Sequence, residues 1–134
     1  MIHVKSTYNG AEAYATVVAM SWEAIQRMVV YYHMKLQEAV GISAGPKRVN
    51  RQRGKGSYTI YTNPSKPGEP PRKRTGYGQK NILYDFDKPN LSARVGVTRN
   101  AHYMAILDLF RNRPWLLSTL RRILPQLKAL AKTP

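Results

Sequence analysis

Apolar residues recur at helical spacing in the first third of the chain. Between residues 21 and 41 they occur every three or four positions, which predicts a buried stripe on a long amphipathic helix. The stripe consists of Trp22, Ile25, Val29, Tyr32, Leu36 and Ala39. Ser21 suits the N-cap of this helix, and Gly41 suits a left-handed residue just past its end. The preceding stretch, from Ala11 onward, is also compatible with helix.

Helical spacing returns in the C-terminal helical segment, residues 101–132. His102–Phe110 predicts a short helix, and Pro114 suits the first turn of a final helix. The apolar positions of that final helix are Leu116, Leu117, Leu120, Ile123, Leu124, Leu127 and Leu130. Pro125 falls inside it and should kink or break it, since proline lacks the N–H that an interior helix position donates.

Four stretches carry the composition of β-strands. Residues 2–7 predict a short strand or an extended arm, and residues 57–62 alternate with aromatic and β-branched side chains. Residues 82–86 and 91–97 flank a turn at 87–90 that contains Pro and Asn, so we expect a hairpin there.

Two segments show neither periodicity. Residues 42–56 predict a basic loop, and the Pro-rich arm at residues 63–74 predicts an extended excursion, because proline can continue neither a helix nor a central strand. A short helical turn is expected near residues 76–81. The pattern as a whole predicts a single α+β domain over residues 1–134. Its long N-terminal amphipathic helix packs on a small antiparallel sheet, with the Pro-rich arm and the C-terminal helices added.

Composition narrows the class of protein. A chain of 134 residues with 43% hydrophobic residues suits one self-sufficient globular domain. Cysteine is absent, which excludes a disulfide scaffold, cysteine-ligated metal and a thiol nucleophile. No run approaches the roughly 18–20 apolar residues of a membrane span, and the first residues lack a signal-peptide pattern, so we expect a soluble protein with no membrane partner.

Positive charge is concentrated in the middle of the chain. The formal net charge is +15, from 22 Lys and Arg against 7 Asp and Glu, yet residues 1–40 are neutral. Residues 41–80 carry ten of the cations and only one acid, Glu69. Eight of these ten cations form two clusters, one with Lys47, Arg48, Arg51, Arg53 and Lys55, the other with Arg72, Lys73 and Arg74. Such clustering favours a localised contact surface over a general solubility coat.

The chemistry of the partner stays open at this point. Arg and Lys can neutralise phosphates, and the nearby Tyr58, Tyr61 and Tyr77 could stack on unpaired bases. Packing within strands is the competing interpretation of the tyrosines. Basic loops are also simply solvated, or face acidic protein surfaces.

Candidate enzyme chemistry is sparse. His3, His33 and His102 are isolated and form no metal-ligand spacing. Asp85 and Asp87 share a strand face. Solvated polar residues on a hairpin are a simpler interpretation of this pair than acid–base catalysis. The Gly-Lys-Gly-Ser run at residues 54–57 lacks the leading glycine of a phosphate-binding loop. We therefore predict no enzyme activity, no catalytic residue, no cofactor and no metal.

One segment resembles a known family. Residues 65–82 read SKPGEPPRKRTGYGQKNI, similar to the PGxPP…TG…I segment of small tailed-phage morphogenesis proteins, the HK97 gp10-like proteins. Downstream, Arg94–Val97, Ala101–Tyr103 and Arg113–Leu116 resemble that family's VG, YA and RPFL elements in the same order. The family's EFG triplet is replaced by Asp-Leu-Phe at 108–110, and without its glycine the short helix can run on toward Arg113.

The resemblance implies a structural role without catalysis. Such proteins form the tail-completion or neck ring that joins the DNA-filled head to the tail, so it implies a virion protein assembled in the host cytoplasm. The implied partners are further copies in a ring, neighbouring head-completion proteins, and tail-tube or tail-terminator proteins. A closed ring needs two different complementary patches on each subunit. A tail terminator and a free-standing basic nucleic-acid-binding protein are the alternatives.

The expected functional residues fall into two groups. We expect partner or DNA contact at Arg48, Arg51, Arg53, Lys55, Arg72, Lys73 and Arg74. The motif residues with a structural role are Gly68, Pro70, Pro71, Thr75, Gly76, Arg113, Pro114 and Trp115. Within them, Thr75 and Gly76 suit a helix cap and a tight turn, and Trp115 is expected in the core. The Pro-rich arm is a candidate inter-subunit arm, and an ordinary surface loop is the alternative.

Overall fold

A computed structural model describes residues 3–9, 12–18, 21–51, 54 and 56–132. The fold is α+β, as the sequence pattern predicts. The strands are β1 (His3–Asn9), β2 (Glu12–Val18), β3 (Pro46–Asn50), β4 (Ser57–Tyr61), β5 (Ile82–Asp87) and β6 (Ser92–Val97). The helices are α1 (Trp22–Ala39), α2 (Tyr77–Lys80), α3 (Tyr103–Phe110) and α4 (Leu116–Lys132), with a 3-10 turn at Arg99–Ala101.

The main sheet has four antiparallel strands in the order β1-β2-β6-β5. Ala15 lies opposite Val95, and Ile82 lies opposite Val97, and all four side chains are buried. Directly opposed residues of an antiparallel pair point to the same face. This face of the sheet therefore forms one side of the hydrophobic core, and the β5–β6 hairpin matches the predicted one.

Helix α1 covers the core face of the sheet, and α4 packs against α1. The Ser21 side chain accepts a hydrogen bond from the Ala24 N–H at 3.2 Å, which caps α1 as predicted. The predicted stripe faces the core, with Trp22 only partly buried. The Tyr32 hydroxyl donates to the Leu116 carbonyl at 2.6 Å, so a buried hydrogen bond joins α1 to the first turn of α4.

Two expectations about the ends of α1 are wrong. Residues 12–18 form a strand rather than a helix, because β2 pairs with β1 on one side and β6 on the other. Gly41 is not left-handed. A Cβ there would lie 2.6 Å from Gln79 Nε2 and 2.7 Å from the Gln37 carbonyl, so glycine permits a close approach instead.

The basic loop predicted at residues 42–56 contains a strand. Its residues 46–50 are β3, which pairs with β4 in a second, two-stranded sheet where Arg48 lies opposite Thr59. We call this hairpin, residues 46–61, the basic ribbon. Most of its residues are exposed on both faces. No apolar face is buried, so the sequence had no alternation by which β3 could be recognised.

The Pro-rich segment forms neither helix nor regular strand, but it does not leave the body of the protein. The Gly68 N–H donates to the Asn112 carbonyl at 2.8 Å, and Arg113 Nε donates to Ser65 Oγ at 2.7 Å. A bridge joins Ser43 to Lys73, and Pro71 is buried. The prediction of an extended excursion is therefore wrong in one respect, because the segment is hydrogen-bonded to the body of its own chain and does not project from it.

The C-terminal helices follow the predicted order, but α4 begins at Leu116, so Pro114 precedes the helix and does not lie in its first turn as predicted. Helix α3 ends at Phe110 and does not run on, because Asn112 adopts a left-handed φ of 51° that asparagine tolerates. Helix α4 continues through Pro125 without a break. Pro125 and Arg121 are both exposed, so water can reach the Arg121 carbonyl that proline leaves without an intrahelical donor.

Candidate functional site

A cleft of about 950 Å³ opens beside the Pro-rich segment. Its walls come from that segment, from the end of α1, from α2 and α3, and from the α3–α4 junction. It is lined by Val40, Ala44, Pro64, Ser65, Pro71, Arg72, Lys73, Arg74, Thr75, Gly76, Tyr77, Gly78, Gln79, Tyr103, Met104, Ile106, Leu107, Arg111 and Arg113. None of these residues is acidic. We call this concavity the cationic cleft.

Buried or half-buried apolar side chains and positive charges both line the cationic cleft. Val40, Ala44 and Met104 are buried, and Leu107 is half-buried. Five cations share the lining with them, namely Arg72, Lys73, Arg74, Arg111 and Arg113. A concave apolar surface with convergent charged groups is the usual form of a ligand site, and its volume is near the upper end of the roughly 300–1,000 Å³ range.

Thr75 and Gly76 build the turn that enters the cleft wall. Gly76 is buried and has a φ of 83°, a conformation that favours glycine. The N-cap of α2 is Gly76 and not Thr75, so the predicted cap is wrong by one residue. The Thr75 hydroxyl accepts a hydrogen bond from the Tyr77 N–H at 3.3 Å, which satisfies a backbone donor at the start of α2. Local turn chemistry thus positions α2 next to the cation run at residues 72–74.

Gly78 sets the contact between α2 and α3. A Cβ at this position would lie 2.6 Å from Met104 Sδ and 2.8 Å from the Tyr103 hydroxyl. Burial raises the pKa of Tyr103 above 10.0, a backbone hydrogen bond with Gly78 lowers it in part, and Tyr77 adds a smaller upward contribution. Tyr103 is therefore a neutral group over the physiological pH range.

Arg72 and Arg113 are held by the Pro-rich segment. Arg72 donates from one terminal nitrogen to Glu69 at 3.1 Å, and its side chain is only 14% exposed. Its Nε is buried, and no acceptor reaches it within the described part of the chain. Arg113 donates to Ser65 and to two carbonyl oxygens of the α3–α4 junction. These contacts fix the arginines in place while their charge stays at the cleft.

The basic ribbon meets the cleft through Arg74. The Arg74 guanidinium lies 4.3 Å from the centre of the Tyr61 ring, a cation–π contact between cleft and ribbon. On the ribbon, Arg48 donates to Ser57 at 2.7 Å, and Arg51 lies 5.7 Å from the Tyr58 ring. Tyr58 is 45% exposed, so it is not packed into a core.

Nine of the fifteen predicted site residues lie in the cleft or on the basic ribbon. The cleft collects Pro71, Arg72, Lys73, Arg74, Thr75, Gly76 and Arg113. Arg48 and Arg51 belong to the ribbon, whereas Arg53 and Lys55 lie outside the described residues. Gly68, Pro70, Pro114 and Trp115 do not line the cleft. Trp115 is completely buried, and its indole N–H donates to the Met104 carbonyl at 2.8 Å.

The sequence did not identify the α3 wall of the cleft. Tyr103, Met104, Ile106, Leu107 and Arg111 line it. Tyr103 belongs to the family-like YA element, and Arg111 lies two residues before the Arg-Pro motif, but neither was predicted as a site residue. The cluster depends on how α3 packs against α2, which no local pattern reveals.

The two aspartates that share a face of β5 have hydrogen-bond partners on the neighbouring strand or turn. Asp85 accepts from Arg94 at 3.1 Å, and Asp87 accepts from Asn90 at 2.7 Å, both on the exposed β5–β6 hairpin. Within the described ranges no three His, Cys, Asp or Glu residues cluster as a metal site would require. In that same part of the chain, no helix is both long and apolar enough to cross a bilayer.

Comparison of the chain with protein-family models, with curated proteins and with solved structures finds no match.

Proposed function

We propose that this chain is a structural virion protein of a tailed phage, a ring-forming neck or tail-completion component that joins the DNA-filled head to the tail. The observation that carries the proposal is the ordered series of family-like motifs between residues 64 and 117. Residues of its PGxPP…TG part and of its Arg-Pro part lie on the walls of one cleft. Segments that are far apart in sequence but resemble one family in order thus contribute to a single surface.

The molecule offers the kinds of surface that a ring subunit needs. A closed ring requires two different complementary patches. The basic ribbon is exposed on both faces, and β5 is an edge strand with a partner on one side only. An edge strand keeps backbone donors and acceptors unpaired and can accept another chain. We assign the inter-subunit arm to the ribbon, because the Pro-rich segment is bound to its own chain.

Disruption of the gene in the phage that encodes it tests this proposal. We expect DNA-filled heads and complete tails to accumulate as separate particles, which electron microscopy of the lysate shows directly. A copy supplied in trans should restore joined particles. Normally joined virions from the disrupted phage would sink the proposal.

The position of the protein in the particle separates the neck role from a tail terminator. Both roles use a ring, so oligomeric state alone does not distinguish them. In a virion reconstruction, density for the chain between the head-completion layer and the tail proteins supports the neck role. Density capping the end of the tail tube supports the terminator.

A nucleic-acid-binding function is the second candidate, favoured by the basic ribbon. The segment from residue 41 to residue 68 contains no acidic residue, and its exposed arginines suit phosphate contact. This candidate predicts tight binding of the purified protein to free duplex DNA, with an affinity that falls steeply with salt. The absence of binding at low salt would remove it, whereas a contact with DNA passing through a ring needs no such free affinity.

A further inference from the structure

We propose that the cationic cleft binds an acidic linear segment of another protein, one that carries a large apolar side chain between carboxylates. The identity of that protein as a neighbour in the particle rests on the proposed function. The binding chemistry itself rests on the cleft alone.

The charge of the cleft selects an anionic ligand. It has five cations and no acid in its lining. Within the described residues, only Arg72 of these five forms a salt bridge, with Glu69. Lys73, Arg74 and Arg111 therefore carry charges that lie in no salt bridge among the described residues. The Glu69–Arg72 pair at 3.1 Å shows that a carboxylate is accepted beside this cation run.

The apolar part of the lining selects a peptide with a hydrophobic anchor. Exposed ion pairs contribute little binding energy by themselves, so a specific site needs buried apolar area as well. Leu107 is half-buried in the cleft wall and Ile106 is 39% exposed beside it, so these two side chains supply most of the apolar surface open to a ligand. One large apolar side chain can cover this surface while flanking carboxylates reach the cations.

A second copy of this chain is a poor occupant. Each copy carries the same net charge of +15. Three of its carboxylates, those of Glu38, Glu69 and Asp85, already lie in salt bridges within their own chain. The shortage of unengaged acids favours a different, acidic partner for the cleft.

Nucleic acid suits the cleft less well than the ribbon. Duplex phosphates need cations along a groove but no apolar floor, whereas this cleft combines both kinds of surface. Tyr77 and Tyr103 in the lining could stack on single-stranded bases, and the oligothymidylate arm of the test detects that binding. The exposed ribbon carries cations without such a floor. The two surfaces are thus chemically different, although Arg74 and Tyr61 connect them.

The test uses the purified full-length protein and a fluorescein-labelled peptide of sequence EDELFEDE in a polarisation titration at about 0.15 M salt. A peptide with the two apolar residues changed to serine, EDESSEDE, and a charge-reversed peptide, KRKLFKRK, are the ligand controls. An unlabelled oligothymidylate of equal charge, added as a competitor of the labelled peptide, reports nucleic-acid binding at the same site. None of these measurements requires the phage, so a failure here leaves the result of the gene disruption unaffected.

Two double variants localise the binding. Lys73→Glu with Arg111→Glu reverses two cleft charges, and Arg121→Glu with Arg122→Glu makes the same charge change on exposed α4 positions outside the cleft lining. We expect EDELFEDE to bind about tenfold more weakly to the cleft variant than to the α4 variant. We expect a similar loss for EDESSEDE on the unchanged protein. Circular dichroism of both variants confirms that they are folded.

Several outcomes would overturn the proposal. The first is that EDELFEDE shows no saturable binding up to a concentration on the order of 1 mM. The second is that the two double variants weaken binding equally, and the third is that EDELFEDE and EDESSEDE bind equally well. If the oligothymidylate displaces the labelled peptide at a lower concentration than unlabelled EDELFEDE does, the cleft is assigned to nucleic acid instead. The exposed substitution Ile106→Ser gives an independent check, because it should weaken EDELFEDE binding and leave EDESSEDE binding unchanged.

Discussion

Trp115 joins two helices through a single buried side chain. It is completely buried, and its indole N–H donates to the Met104 carbonyl at 2.8 Å, so α3 and the start of α4 are linked directly. The contact also fixes Met104, which lines the cleft. The same residue therefore serves the stability of the core and the shape of the candidate site.

Replacing Trp115 should cost a substantial part of the stability. We expect Trp115→Phe to lower the free energy of unfolding by about 2–4 kcal/mol, because it removes a buried hydrogen bond and leaves unfilled volume. Urea denaturation followed by far-ultraviolet circular dichroism measures the change. Tyr77→Phe, at an exposed position, is the control and should change stability by less than about 0.5 kcal/mol. A loss of that small size for Trp115→Phe would contradict the assignment.

Tyr103 should make stability depend on alkaline pH. Its pKa is raised in the folded state, chiefly by burial, above the value of 10.0 that it has when solvated. A raised folded-state pKa stabilises the protein fully below pH 10.0, and this contribution is lost as the pH rises through the folded-state value. The difference in unfolding free energy between the unchanged protein and Tyr103→Phe should therefore shrink above pH 10. A difference that stays constant from pH 8 to pH 11 would contradict this.

At the scale of elements, α4 carries an unusual residue at a tolerant position. Pro125 lies inside a continuous helix, on its exposed side. Proline in a helix interior costs up to about 3 kcal/mol relative to alanine, mainly through the lost hydrogen bond and the clash with the preceding turn. Core residues on both sides of it, Ile123 and Leu127, are buried and keep the helix in place.

Pro125→Ala should therefore stabilise the protein. We expect the free energy of unfolding to rise by about 1–3 kcal/mol in urea denaturation, because alanine restores the bond to the Arg121 carbonyl. Gln126→Ala, at the adjacent exposed position, is the matched control and should change stability by no more than about 0.5 kcal/mol. Equal effects of the two substitutions would show that the proline causes no strain in α4.

At the scale of the whole molecule, the basic ribbon and the core are separate. A two-stranded hairpin is marginal by itself, and both faces of this one are largely exposed. The chain enters and leaves it at neighbouring points, since the Thr62 N–H donates to the Gly45 carbonyl at 2.9 Å. A hairpin that contributes little to the core is the kind of element expected to form a contact surface for a partner.

Under the proposed ring function, removal of the ribbon should leave the fold intact and weaken self-association. We expect replacement of residues 46–61 by a short Gly-Ser linker to change the unfolding free energy of the monomer by less than about 1 kcal/mol. Sedimentation velocity should show that the mean oligomer mass of the variant is lower than that of the unchanged protein at equal concentration. Unchanged oligomer mass would remove the ribbon from the subunit interface, and loss of folding would contradict its separation from the core.

Much of the helical architecture was readable from the sequence. The α1 stripe and the Ser21 cap depend on residues three or four positions apart, and so does the spacing of α4, because a helix satisfies its backbone locally. The β5–β6 hairpin could also be predicted from local sequence, because turn-forming residues lie between two runs of strand-forming residues. The clustering of cations in residues 41–80 and the Pro-Gly motif also needed no coordinates.

Only tertiary structure decided the rest, since it depends on partners distant in sequence. Residues 12–18 became a strand by pairing with β1 and β6, and residues 46–50 by pairing with β4, although neither stretch shows the alternation of a half-buried strand. The Pro-rich segment was turned back by contacts with Asn112 and Arg113, some 45 residues away. Those contacts bring the cations of residues 72–74 beside the apolar wall of α3, and together the two line a cleft with a defined shape.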